Sequence, residues 1–177
     1  MIYITGDTHG SIDIRKLNKR YFDDSTLTKK DYLIICGDFG LVWDNSPEEQ
    51  FWLNWLNEKN YTTLFIDGNH ENHSLLNSYP VEIWNGGKIH KIRDSVFHLM
   101  RGQVFTINNH TFFTMGGAAS IDKNWRIPGI SWWPEEMPSE EEYREAILNL
   151  YNYENEVDYI ITHTAPTSIV NQLIPEI

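Results

Sequence analysis

Four apolar runs, at residues 1–5, 32–36, 63–67 and 157–161, each end in a short polar cluster: Gly6-Asp7-Thr8-His9-Gly10, Gly37-Asp38, Gly68-Asn69-His70-Glu71 and Thr162-His163. Runs of Ile, Leu, Tyr and Phe this short read as strands, and a polar cluster at the end of each is hard to fit into anything but an α/β sheet. In open α/β sheets the strand carboxyl ends line the ligand crevice, so residues far apart in sequence converge there. The spacing therefore predicts one site assembled from Asp7, His9, Asp38, Asn69, His70 and His163.

Strand, helix, strand, helix, strand is the expected order over the first 70 residues. A short helix is expected around residues 14–21. Ser46-Pro47-Glu48-Glu49 reads as a capped helix start running to about residue 58, with Phe51, Trp52, Trp55 and Leu56 facing the sheet. Short alternating runs over residues 81–115, with Asn108-Asn109 as a hairpin turn, predict an antiparallel half. Ser139 and Glu142 open a second capped helix whose apolar face is Tyr143, Ala146, Ile147, Leu150 and Tyr151. The segment 123–138 is the longest irregular stretch and holds Trp125, Trp132 and Trp133, so it is placed to roof the site.

The length of 177 residues and the 41% hydrophobic content suit a single domain over residues 1–177. The single cysteine, Cys36, permits no intramolecular disulfide, and the N-terminus lacks the charge pattern and apolar length of a signal peptide. The expectation is a cytoplasmic protein with Cys36 buried and inert. No apolar stretch approaches the roughly 20 residues that span a bilayer, so no membrane insertion is expected.

Asp, His and Asn side chains are oxygen and nitrogen donors that suit Mn, Fe, Zn, Ni or Co and argue against a thiolate site. Mn is taken first and the other four as alternatives. Asp7 and His9, one residue apart past a strand, are expected to hold one divalent ion, and Asp38 to bridge to a second completed by Asn69 and His163. Two such ions can clamp the attacking and leaving oxygens of an in-line phosphoryl displacement. His70 is then the group placed to protonate the leaving oxygen.

Asp-x-His, Gly-Asp, Gly-Asn-His-Glu and a final strand ending in His, in that order, resemble the calcineurin-like metallophosphoesterases. The resemblance implies a four-layer α/β/β/α sandwich of two mixed sheets flanked by helices. It also implies Asp7, His9, Asp38, Asn69 and His163 as ligands of two metal ions, His70 as the catalytic histidine, and phosphoester hydrolysis by a metal-bridging hydroxide. Two features depart from the pattern. Many members carry a second acid in the Gly-Asp motif, where this chain reads Gly37-Asp38-Phe39-Gly40-Leu41. The family's closing Gly-His-x-His, which supplies one ligand to each metal, does not follow His163, so the expectation is a chain lacking its C-terminal part. Otherwise water, one of His73, His90, His98 and His110, or a neighbouring chain fills the two positions, or the chain is a metal-binding module without catalysis.

Arg126 can pair a substrate phosphate bidentately, against the alternative of a surface salt bridge. Met115-Gly116-Gly117-Ala118 offers close backbone approach to a phosphate or metal, or a tight strand exit. Glu71 reads as a first-turn helix acid outside the site. The net charge of −11 disfavours a phosphate-tracking surface, so a small phosphoester or nucleotide-type substrate is expected ahead of nucleic acid, a nuclease being the further alternative. A base stacked on the tryptophan loop would suit a phosphodiester containing a nucleotide.

Overall fold

Near-continuous apolar runs demand burial on both faces, and β3 (Thr62–Ile66) is buried at every position. The computed structural model describes residues 1–173. β1 (Ile2–Thr5), β2 (Tyr32–Cys36) and β3 pair side by side in parallel. β4 (Val81–Trp84), β5 (Gly87–Arg93) and β6 (Val96–Leu99) follow as an antiparallel set, and β6 joins β3 in parallel. The result is one mixed sheet of order β1-β2-β3-β6-β5-β4. A second sheet, β7-β8-β9, pairs β7 (Gln103–Ile107) antiparallel with β8 (His110–Met115), and β8 parallel with β9 (Tyr159–Thr162). Asn108 and Asn109 both adopt positive φ, 51° and 65°, as a two-residue hairpin turn requires.

Apolar clusters define four layers. Ile34, Leu64, Ile66 and Leu99 of the first sheet meet Phe105, Ile107, Phe112 and Ile161 of the second. On the outer face of the first sheet, Leu33, Ile35 and Phe65 pack with Leu53 and Leu56 of helix α1 (Pro47–Asn57). After the single turn α2 (His73–Leu76), helix α3 (Glu140–Asn152) covers the outer face of the second sheet, where Ala146 and Leu150 meet Val104 and Phe113. A last helix, α4 (Thr167–Leu173), follows β9. The fold is the expected sandwich of two mixed sheets flanked by helices. Among the described residues no helix is long and apolar enough to cross a membrane.

Three local expectations are corrected. Residues 14–21 form no α-helix; two 3-10 turns, Gly10–Ile12 and Ile14–Leu17, take their place. Asn18 ends the second with extended ψ, its side chain bonding the Arg15 carbonyl and the Arg20 amide in competition with helical bonding. On α1 Ser46 caps the Glu49 amide, but the Glu49 carboxylate turns instead to the Trp43 and Asp44 amides. The buried stripe is Leu53 and Leu56, with Trp52 and Trp55 half-buried and Phe51 60% exposed. On α3 the capping box is complete, yet Tyr143, Ile147 and Tyr151 are exposed and only Ala146 is fully buried. A Cβ at Gly102 would meet Ala146, so the helix lies close to the sheet and buries a narrow stripe.

A polar network holds the carboxyl end of β3. Arg101 donates from Nε and Nη2 to Asp67 Oδ2, and His98 Nε2 lies 3.1 Å from Asp67 Oδ1. His98 and His90 stack with their Nδ1 atoms 2.9 Å apart. Burial works to raise the Asp67 carboxyl, but the His98 hydrogen bond and the Arg101 guanidinium outweigh it and hold it below the usual carboxylate range. Burial, with His98 beside it and Asp67 opposing, pushes His90 down to about 4.

Leu53→Ala is expected to lose about 2–5 kcal/mol in urea unfolding, whereas Phe51→Ala stays within about 0.5 kcal/mol. A depressed native pKa means the unfolded chain binds the His90 proton first as pH falls. Stability is thus fully present above pH 6.5 and is lost toward pH 4. His90→Phe should flatten that acid limb in denaturation midpoints measured across this window.

Candidate metal centre

The parallel order β1-β2-β3 sets the three loops after these strands side by side, and hydrogen bonds lace them together. Thr8 and His9 amides donate to the Asp38 carbonyl at 3.2 and 2.8 Å, and the Gly10 amide to Phe39 at 2.9 Å. The third loop returns the favour through side chains: the His70 amide donates to Asp38 Oδ1 at 2.8 Å, and Glu71 Oε1 accepts the Phe39 amide at 2.6 Å. Asp38 itself sits at φ 42°, a left-handed conformation open to Asp and Asn, which turns its carboxylate into the crevice. β9 brings His163 from the second sheet, and Gly37 makes room for it, since a Cβ there would overlap the near edge of the His163 side chain.

All six expected site residues converge. Asp38 is the common member of two clusters, one with Asp7 and His163 and the other with His9 and His70, whose donor atoms lie within 4.8 Å of one another. Asp7 reaches both halves, with Oδ2 3.6 Å from His9 Nε2 and Oδ1 3.7 Å from His163 Nδ1. Asn69 approaches through Oδ1, 3.2 Å from His163 Nε2, its amide nitrogen being held by Ser120 Oγ. Hence His70 falls within a donor cluster with His9, and Asp7 stands between the two histidines, in reach of His163 as well as of the expected His9.

The donor set fits a cation. His163 Nδ1 donates to the Cys36 carbonyl at 2.9 Å, so Nε2 is the ring nitrogen placed to offer a lone pair to a metal. That lone pair faces Asn69 Oδ1 at 3.2 Å and Asp38 Oδ1 at 3.5 Å. His163 Nε2, Asn69 Oδ1 and Asp38 Oδ1 converge, a set of nitrogen and oxygen donors that suits a metal ion. Asp38 and His163 are buried while Asp7 and His9 keep about two-fifths of their side chains exposed, so the centre opens to solvent on one side.

A family model for calcineurin-like phosphoesterases matches residues 1–171. The chain belongs to that family. Comparison with curated proteins and with solved structures finds no match. Membership at this level brings phosphoesterase chemistry and divalent metal binding, and the acceptor cluster around Asp38 is where this calcineurin-like phosphoesterase has the donors for it.

Two neighbours, Glu71 and Cys36, behave differently from the sequence reading, and two, Gly116 and Arg126, take an alternative it offered. Glu71 is no first-turn helix acid, because α2 begins two residues later; it is fully buried and binds the Phe39 and Gly40 amides of the Asp38 loop. Burial pushes its carboxyl well above the usual value, and the Phe39 amide opposes that shift. Gly116 approaches Asp67 rather than the crevice, as the Gly117 amide donates to the Asp67 carbonyl. Cys36 is only half-buried, with its thiol pushed up to about 11 by burial and then by Asp7. Arg126 makes the salt bridge, Nε and Nη2 each 2.8 Å from Asp122, and also puts Nη2 3.1 Å from His70 Nε2. Of the spare histidines, His73, His90 and His98 are buried elsewhere, and none of the four enters either donor cluster. Ser120 was not foreseen because nothing but the fold carries it to Asn69.

Gly37→Ala should displace His163 and weaken Mn binding by about 10- to 100-fold in calorimetric titration. Gly6→Ala, where a Cβ meets nothing within 4 Å, should leave Mn affinity unchanged.

Proposed function

We propose that the chain is a dinuclear metallophosphoesterase acting on a small phosphodiester of nucleotide type. The convergence of His70 and Arg126 on the acceptor cluster around Asp38 carries this reading. Asp7, His9, Asp38, Asn69 and His163 would hold two divalent ions, Mn first, with Asp38 shared. When bound, such ions supply Lewis-acid polarisation of phosphoryl oxygens and a water of lowered pKa.

The protein's own groups do the rest. Asp38 orients the 70-loop by accepting the His70 amide, which keeps the His70 ring at the mouth of the crevice. Arg126 donates to His70 Nε2, so the ring proton sits on Nδ1, and burial holds the imidazole below its ordinary value with Arg126 adding to the effect. A phosphate oxygen arriving beside His70 competes for the same Arg126 nitrogen. Once Arg126 turns to that oxygen, His70 Nε2 is free to take up a proton from solvent and hand it to the leaving alkoxide. Both roles read from the sequence, the phosphate clamp and the proton donor, then follow from one pair of side chains.

Of the three loop tryptophans, Trp133 is packed against Trp43 and Trp132 is half-buried, while Trp125 is 91% exposed beside Arg126. Trp125 is thus the ring available to stack a base, which supports a nucleotide-type diester.

Mn-loaded protein should hydrolyse bis-p-nitrophenyl phosphate and a nucleoside cyclic or dinucleotide diester. His70→Ala should lower kcat about 10²- to 10⁴-fold with Mn content unchanged, and Trp125→Ala should raise KM for the nucleotide substrate alone. Full Mn loading without turnover of any phosphoester would instead establish a metal-binding module, and salt-sensitive cleavage of oligonucleotides a nuclease.

A further inference from the structure

A cleft of about 540 Å³ is lined by Asp67, His73, His90, His98, Arg101 and Glu142, and by none of the candidate metal ligands. Its hydrogen bonds can be followed proton by proton. Asp67 is acceptor only, so His98 Nε2 carries the proton that bonds it at 3.1 Å. In a neutral His98 ring Nδ1 is then bare, and His90 Nδ1, 2.9 Å away, is the donor between the two rings. That leaves a lone pair on His90 Nε2, on a side chain 3% exposed that lines the cleft and has no protein partner for this atom among the described residues. The buried Asp67 carboxylate polarises the chain toward that nitrogen and partly offsets the effect of burial on it.

The charge of the cleft decides what it accepts. Arg101 is the only guanidinium in its lining, and Asp67, Glu142 and the carbonyls of Glu135 and Glu136 engage all of its nitrogens. Glu135 and Glu142 at the rim leave carboxylate in excess over that one cation. An anion meets repulsion here and no free cationic side chain, so the cleft favours a cation over a second phosphate. Leu76, Met100, Pro134 and Met137 supply apolar wall between the polar groups.

We propose that this cleft binds a small aliphatic amine, its ammonium donating to His90 Nε2 and to the rim carboxylates while its stem lies on the apolar wall. Asp67 directly precedes the 68–71 loop, and its carbonyl holds the Gly117 amide, so a ligand that tightens the Asp67–His98–His90 chain bears on the loop carrying Asn69 and His70.

The test is calorimetry on the purified chain with 1,4-diaminobutane, with 1,4-butanediol and inorganic phosphate as the neutral and anionic controls, alongside long-range ¹H–¹⁵N spectra of the histidine rings. Saturable one-site binding of the diamine alone, a shift of the His90 Nε2 resonance, and a loss of about tenfold in affinity in Glu135→Gln support the site. Glu135 is exposed, so that variant keeps the fold. His90→Phe should abolish binding, and if it fails to fold, the Glu135→Gln affinity and the His90 shift decide. A Kd above about 1 mM, equal uptake by Glu135→Gln, or an unmoved His90 resonance overturns the proposal and reduces the effect to diffuse attraction by an acidic surface.

Discussion

The carboxylate of Asp38 is the constraint on which the rest of this structure depends. A buried acid must find partners or give up its charge. Asp38 finds the His70 amide at Oδ1, with His163 at the same oxygen and His9 near Oδ2. Those three contacts come from three other strand ends. The parallel order of the first three strands brings two of them alongside, and the second sheet has to pack over the first to deliver His163. Fold and site are in this sense one requirement: without the sandwich, the four loops do not share a carboxylate.

Support for that carboxylate comes from groups that never enter the crevice. Glu71 binds the two amides that follow Asp38 in the chain, and Gly37 and Gly68 leave the space that His163 and Asp38 occupy. One layer further out, Arg101 and His98 pin Asp67, the residue that starts the third loop. Each link stiffens the next. A centre that must meet phosphate in fixed geometry gains from this, because loops without such bracing sample many conformations.

Much of this was legible in the sequence because it rests on short-range rules. Strand runs ending in polar clusters, the Asn108-Asn109 turn, Ser46 as a cap and the Ser139–Glu142 box each depend on a few neighbouring residues. The six convergent side chains followed from strand order alone. What could not be read is what long-range packing decides. Asn18 breaks a helix that its neighbours favour, Gly102 draws α3 so close that Tyr143 and Ile147 stay exposed, and Glu71 leaves its own segment to bind a loop 32 residues earlier. Arg126 meeting His70 across 56 residues belongs to the same class. The reach of Asp7 to His163 as well as to His9 depends on rotamers, which periodicity does not encode.

The central claim is that Asp38 is shared between two metal ions, and anomalous diffraction from Mn-soaked crystals tests it most directly. The account predicts two peaks about 3.5–4 Å apart, each within coordination distance of a different Asp38 oxygen, with His163 and Asn69 at one and His9 at the other. A single peak, or two peaks of which only one touches Asp38, would contradict it.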